Sequence, residues 1–103
     1  MPKVLVSDSI DPVGIEILSQ VAQVDLKPGL SEAELIAIIS QYDALMIRSG
    51  TQVTAAVIAA SKPLKIIGRA GVGVDNVDVP AATRKGIVVV NSPEGNTIAA
   101  AEH

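Results

Sequence analysis

The chain has 103 residues, 49% of them hydrophobic, with a formal net charge of -3 and no cysteine, which sets one domain with a modest core as its ceiling. The acidic balance excludes a surface that holds nucleic acid or anionic membrane through clustered Lys and Arg, and the lack of thiols excludes disulfides and thiolate chemistry, as suits a reducing compartment. Met1-Pro2-Lys3 runs straight into Val4-Leu5-Val6, too short an apolar run for a signal peptide, and no stretch approaches the ~20 apolar residues of a membrane span, so a cytoplasmic location is expected.

Five short apolar runs alternate with helix-period segments. Lys3 to Ser7 is the first run. Asp11-Pro12 then suits an N-cap and first helical position, with Val13, Ile17, Leu18 and Val21 on one stripe. Gln23 to Leu26 is the most polar run and reads as an edge strand. Ser31 and Glu34 have capping-box spacing ahead of Leu35, Ile38 and Ile39. After the run Asp43 to Ile47, Thr54 opens a third helix with Val57 and Ile58 as its apolar contacts. Lys65 to Gly68 is the fourth run. A short helix follows from Asp78 or Val79 to Lys85, with Gly86 placed to end it in the left-handed conformation, and Ile87 to Val90 closes the series.

Four of these runs are nearly continuous Val, Ile, Leu and Met, the pattern of parallel strands covered on both faces by helices. Tyr42 is the single aromatic residue, so the core is aliphatic. The alternation predicts an α/β fold, a flavodoxin-like doubly wound parallel five-stranded sheet in the order 2-1-3-4-5. At the end, Asn96 or Thr97 can cap a new helix through Ile98-Ala99-Ala100-Ala101-Glu102-His103, and the chain stops inside it without a terminating signal. This segment reads as a truncated C-terminal helix that frays or packs against another copy.

Open α/β sheets bind ligands beyond the carboxyl ends of their strands. The residues there read Ser7-Asp8-Ser9, Lys27-Pro28-Gly29, Arg48-Ser49-Gly50-Thr51, Arg69-Ala70-Gly71-Val72-Gly73 and Asn91-Ser92-Pro93-Glu94-Gly95-Asn96. Guanidinium groups, hydroxyls, amides and glycines therefore gather on one edge, as a small anion requires. Arg48 offers a planar fork of donors matched to carboxylate or phosphate, with Ser49 beside it; its plainer reading is a surface arginine paired with an acid. The same two readings hold for Arg69, whose glycine-rich setting favours the ligand. Gly71 and Gly73 let backbone N–H groups approach an anion as a nest, or simply bend the chain. Asn96 is first of all an N-cap, a role compatible with a ligand contact. His103, the only imidazole, has no acid or nucleophile in a defined relation to it, and no spacing of His, Asp and Glu resembles a metal site. Gly68-Arg69-Ala70-Gly71-Val72-Gly73 is not the dinucleotide fingerprint, because Asn76 stands where the third glycine would be.

Taken in order, Arg48-Ser49-Gly50-Thr51, Gly68-Arg69-Ala70-Gly71-Val72-Gly73-Val74-Asp75-Asn76-Val77-Asp78, Ala81-Ala82-Thr83-Arg84-Lys85-Gly86-Ile87 and Asn91-Ser92-Pro93-Glu94-Gly95-Asn96-Thr97 resemble the phosphoglycerate dehydrogenases within the D-2-hydroxyacid dehydrogenase family. The resemblance covers the whole chain. It implies a full-length cytoplasmic homo-oligomeric enzyme that uses NAD to oxidise 3-phospho-D-glycerate to 3-phosphooxypyruvate in serine biosynthesis. It assigns residues 1–95 to the substrate-binding domain and 96–103 to the start of the helix leading to an NAD-binding domain that the chain lacks. By the same resemblance Arg48 and Ser49 bind the acidic groups of the substrate and Arg69 adds positive charge. The Gly71-Val72-Gly73 backbone holds the carboxylate, Asn96 contacts the substrate and Val72 touches the edge of the cofactor. The family's dinucleotide fingerprint and its Arg, Glu and His catalytic group belong to a later domain, so no catalytic residue, bound cofactor or activity is expected in this chain alone.

Two other classes share the length and strand order. A signalling receiver domain needs paired acids after its first strand, an aspartate after its third and a lysine after its fifth; here Asp8, Arg48 and Asn91 stand at those places. A flavodoxin needs a phosphate loop after its first strand and aromatics against the flavin, and the sequence has neither. A third reading is a piece whose interest is folding or self-association through its sheet edge or cut helix.

Overall fold

The computed structural model describes residues 2–8, 12–48, 50–70 and 76–92. Strands and helices alternate along it: β1 (Lys3–Val6), α1 (Pro12–Leu18), β2 (Gln23–Leu26), α2 (Glu32–Ile38) with a 3-10 turn at Ile39–Gln41, β3 (Ala44–Ile47), α3 (Ala55–Ala60), β4 (Ile66–Ala70), α4 (Val79–Arg84) and β5 (Val88–Ser92). All neighbouring strands pair in parallel, in the order β2-β1-β3-β4-β5. The expected flavodoxin-like sheet is therefore present, and β2 is an edge.

Helix ends follow from their local chemistry. Ser31 Oγ accepts the Glu34 N–H at 3.2 Å while Glu34 Oε1 accepts the Ser31 N–H at 2.9 Å, the reciprocal pairing that satisfies two otherwise orphaned donors. These bonds from Ser31, backbone first, hold the Glu34 carboxyl below its ordinary pKa. Thr54 caps α3 by accepting the Val57 N–H, and Asp78 caps α4 by accepting the Ala81 N–H. At the far end of α4, Gly86 has φ +81°, a conformation that glycine enters without a Cβ penalty. The carbonyls ending α3 meet a cation: Lys85 Nζ donates to Ile58 O at 2.9 Å, to Ala59 O at 3.2 Å and to Ser61 O.

Because side chains alternate across a strand, the sheet sorts its apolar residues into two layers. Leu5, Leu45, Ile47 and Ile67 pack with Leu35 and Ile39, with Val57 and Ile58 and with Ala81 and Ala82, so α2, α3 and α4 cover one face. Fully burying a Leu or Ile contributes about 1.5–3 kcal/mol, which makes this face the main source of stability. On the other face Val4, Val6 and Ala22 pack with Ile15 and Leu18 of α1, and with Ala44 and Met46.

Two expectations are corrected here. The stripe of α1 was placed on Val13, Ile17, Leu18 and Val21, yet Ile17 and Val21 are 43% and 67% exposed, and Ile15 and Leu18 make the contact. The helix is only seven residues long and ends at Leu18, so a stripe extrapolated through Val21 runs past it. Among the described residues, no helix covers the α1 side of β4 and β5. In the lateral row Val4, Ala44, Ile66, Val88, exposure climbs from 5% at Val4 to 39% at Ile66 and 58% at Val88. A crossover helix runs nearly antiparallel to the strands it covers, and its diameter of roughly 10 Å spans about two strands at their ~4.8 Å spacing.

Candidate functional site at the carboxyl edge of the sheet

At the carboxyl ends of the strands Val6 lies opposite Met46, Ile47 opposite Arg69 and Arg69 opposite Asn91. The chain leaving β1 supplies Ser7 and Asp8. Asp8 Oδ2 accepts the backbone N–H of Arg48 at 2.7 Å and of Thr51 at 3.0 Å. The carboxylate thus sits inside the turn that follows β3 and engages both of its described amide ends. Ser7 Oγ meets Thr51 Oγ1 at 2.9 Å, and both residues are buried, so the hydroxyls serve each other at no desolvation loss.

From the other side comes Asn76. A short parallel bridge between Val53 and Val77, with Val53 N–H on Asn76 O at 2.8 Å and Asp78 N–H on Val53 O at 2.9 Å, anchors its backbone. Its side chain is buried, 7% exposed. Asn76 Nδ2 donates to Arg48 O and to Thr51 O, each at 2.6 Å, and Asn76 Oδ1 accepts from Arg69 Nε at 2.6 Å. Arg48 and Thr51 are thereby held through their N–H groups by Asp8 and through their carbonyls by Asn76. Arg69, 9% exposed, stands one step away through the same amide.

The structure therefore brings Arg48 and Arg69, predicted as the two cations of the site, to one rim. The other candidates, Ser49, Gly71, Val72, Gly73 and Asn96, lie outside the described residues, as does His103. Sequence reasoning missed Asn76, noticing it only as a residue that breaks the dinucleotide fingerprint, and gave Asp8 no role in the site. No local signal marks Asn76: in Val74-Asp75-Asn76-Val77-Asp78 the amide stands between an acid and an apolar residue, and its partners lie 25 and 28 residues upstream. A donor fork held beside a turn whose backbone is fixed at both ends is suited to gripping a carboxylate or phosphate.

This fold is a doubly wound α/β domain with a strand-end rim, and comparison with known proteins gives the family. Residues 4–103 match the D-isomer specific 2-hydroxyacid dehydrogenase catalytic domain, and the chain belongs to that family. It is 77% identical over 103 residues to a D-3-phosphoglycerate dehydrogenase of Synechocystis sp., covering 100% of this chain and 19% of that protein. It is 54% identical over 101 residues to the human D-3-phosphoglycerate dehydrogenase, covering 97% of this chain and 19% of that one. Among solved structures, a Pyrococcus horikoshii protein superposes with a TM-score of 0.87 at 30% identity, over 89% of this chain and 28% of that one. A 3-phosphoglycerate dehydrogenase of Entamoeba histolytica with bound NAD+ superposes with a TM-score of 0.80 at 29% identity, over 89% and 33%. The chain thus spans about a fifth of the length of the curated relatives it matches.

Proposed function

We propose that this chain is the substrate-binding part of an NAD-dependent dehydrogenase that oxidises 3-phospho-D-glycerate to 3-phosphooxypyruvate, a step of serine biosynthesis in the cytoplasm. The observation that carries the reading is the joint anchoring of Arg48 and Arg69 at one strand-end rim, through Asn76, in a chain 77% identical to a phosphoglycerate dehydrogenase. Arg48 and Ser49 bind the acidic groups of the substrate, and Arg69 adds positive charge. The Gly71-Val72-Gly73 backbone holds the carboxylate, with Val72 against the cofactor, and Asn96 contacts the substrate at the start of the helix leading to the cofactor domain. Residues 1–95 form the substrate-binding domain and 96–103 begin that helix. The full-length enzyme is a homo-oligomer, and the 103-residue chain by itself associates through its open edge or final segment.

NAD supplies the hydride acceptor in the full-length enzyme. The residues of this chain do not fit a dinucleotide on their own: the turn after β1 carries Asp8, whose carboxylate takes the N–H donors of the neighbouring turn, and no glycine fingerprint opens a helix. What the chain does is bind and orient the substrate; hydride and proton transfer fall to residues beyond it. The test is NADH formation from NAD and 3-phospho-D-glycerate, with rapid turnover expected of the full-length protein and none of the 103-residue chain. A full-length protein that leaves phosphoglycerate untouched while oxidising an unphosphorylated 2-hydroxyacid refutes the substrate assignment, and turnover by the isolated chain refutes the division of labour.

A further inference from the structure

Asn76 is a buried amide whose three bonds all run to parts of the rim. Arg69 Nε can only donate, and the Arg48 and Thr51 carbonyls can only accept, so the amide has one possible orientation: Oδ1 to the arginine, Nδ2 to the two carbonyls. These bonds join three separate stretches of chain, namely the end of β4, the turn after β3 and the stretch at the Val53–Val77 bridge that carries Asn76 itself.

We propose that Asn76 is a positioning residue for substrate binding, which sets the plane of the Arg69 guanidinium relative to the Arg48–Thr51 turn so that both act on one phosphorylated acid. The inference deepens the proposed function and rests on it. An arginine held at Nε has its guanidinium plane fixed, leaving the direction of the fork determined by the protein and not by the ligand. The identity of the acceptor matters as much as its place. A neutral amide oxygen fixes the plane without adding negative charge, whereas a carboxylate at the same 2.6 Å would offset the cation that the substrate needs. Asparagine also supplies the two N–H donors that the Arg48 and Thr51 carbonyls require, and aspartate of the same shape has none. The site thus calls for an amide, and serine or alanine leaves Nε without its partner.

The experiment uses the full-length enzyme carrying Asn76→Ala, Asn76→Ser, Asn76→Asp and Arg69→Ala, together with the double variant Arg69→Ala/Asn76→Ala. Each Asn76 variant is expected to raise the KM for 3-phospho-D-glycerate about tenfold or more, the size of a lost bond to a charged group, while the KM for NAD changes less than about twofold. Asn76→Asp is expected in addition to flatten the fall of kcat/KM with ionic strength, since it cancels a charge that attracts the anion; Asn76→Ala keeps that slope. In the Arg69→Ala background, Asn76→Ala is expected to cost clearly less than in the wild type, because the part of its effect that runs through Arg69 is already gone while the part that runs through the Arg48 and Thr51 carbonyls remains. If Asn76→Ala does not fold, Asn76→Ser and Asn76→Asp carry the same comparison. Equal loss in both backgrounds, or a KM for phosphoglycerate that stays constant across the variants of an active enzyme, overturns the inference. A wild-type enzyme that does not use phosphoglycerate instead overturns the function on which it rests.

Discussion

Asp8 Oδ2 lies 2.7 Å from the backbone nitrogen of Arg48, so a carboxylate from the end of β1 fixes the residue that ends the neighbouring strand. A Cβ on Gly50 would come within 2.7 Å of Asp8 Oδ1, and Asp8 cannot retreat without releasing the Arg48 and Thr51 amides. A Cβ on Gly68 would come equally near Met46 Sδ, also 2.7 Å away, but a thioether tail can swing to another rotamer. Gly50→Ala is therefore expected to cost about 1–3 kcal/mol and Gly68→Ala clearly less, a ranking that urea unfolding of the two variants measures directly.

Tyr42 sits 2% exposed with its hydroxyl donating to Asp25 Oδ2 at 2.6 Å and Lys3 Nζ 5.3 Å above its ring. Burial first, then the bond to Asp25 and that residue's charge, push its pKa up from 10.0 to about 12. A raised folded pKa favours the protonated form in the native state, so this contribution to stability is complete below pH 10 and is lost as pH rises toward about 12. Because Tyr42 is the single aromatic residue, phenolate absorbance reports it alone. Its ionisation is expected near pH 12, with Asp25→Asn lowering the midpoint only in part, since burial remains. Tyr42→Phe should remove the portion of the stability loss between pH 10 and 12 that belongs to this group.

The fold was readable because its signals are local. Each apolar run is short and bounded, Ser31 and Glu34 stand three apart, and Gly86 follows its helix directly; no long-range information is needed for any of them. The sheet order came from the alternation itself. The exposure of Ile66 and Val88 was not readable, because continuous apolar strands look alike whether or not a described helix covers them. The reach of α1 was misjudged because Val21 continues the period of a helix that has already ended at Leu18. For the site, Arg48 and Arg69 were legible from their places after apolar runs, whereas Asn76 was not: its role lies in bonds to Arg48 and Thr51 that only the folded sheet brings near.

Lys85 joins α4 to the carboxyl end of α3 by donating to Ile58, Ala59 and Ser61, where exposed carbonyls and the helix dipole both favour a cation. Lys85→Met keeps the aliphatic stem and removes the donors, and is expected to cost about 1 kcal/mol. Lys85→Ala should cost slightly more. Thermal unfolding at low and high salt separates the contributions, with the charge-dependent part shrinking in salt.

Whether Arg48 and Arg69 act as one anion-binding rim is read out by amide and arginine Nε NMR of the 15N-labelled chain during titration with 3-phospho-D-glycerate. The expected result is a saturable set of shifts at Arg48, Thr51, Arg69 and Asn76, abolished by Arg69→Ala and weaker with glycerate, which lacks the phosphate. Shifts spread evenly along the chain, or confined to the opposite edge around Lys3 and Lys65, would contradict it.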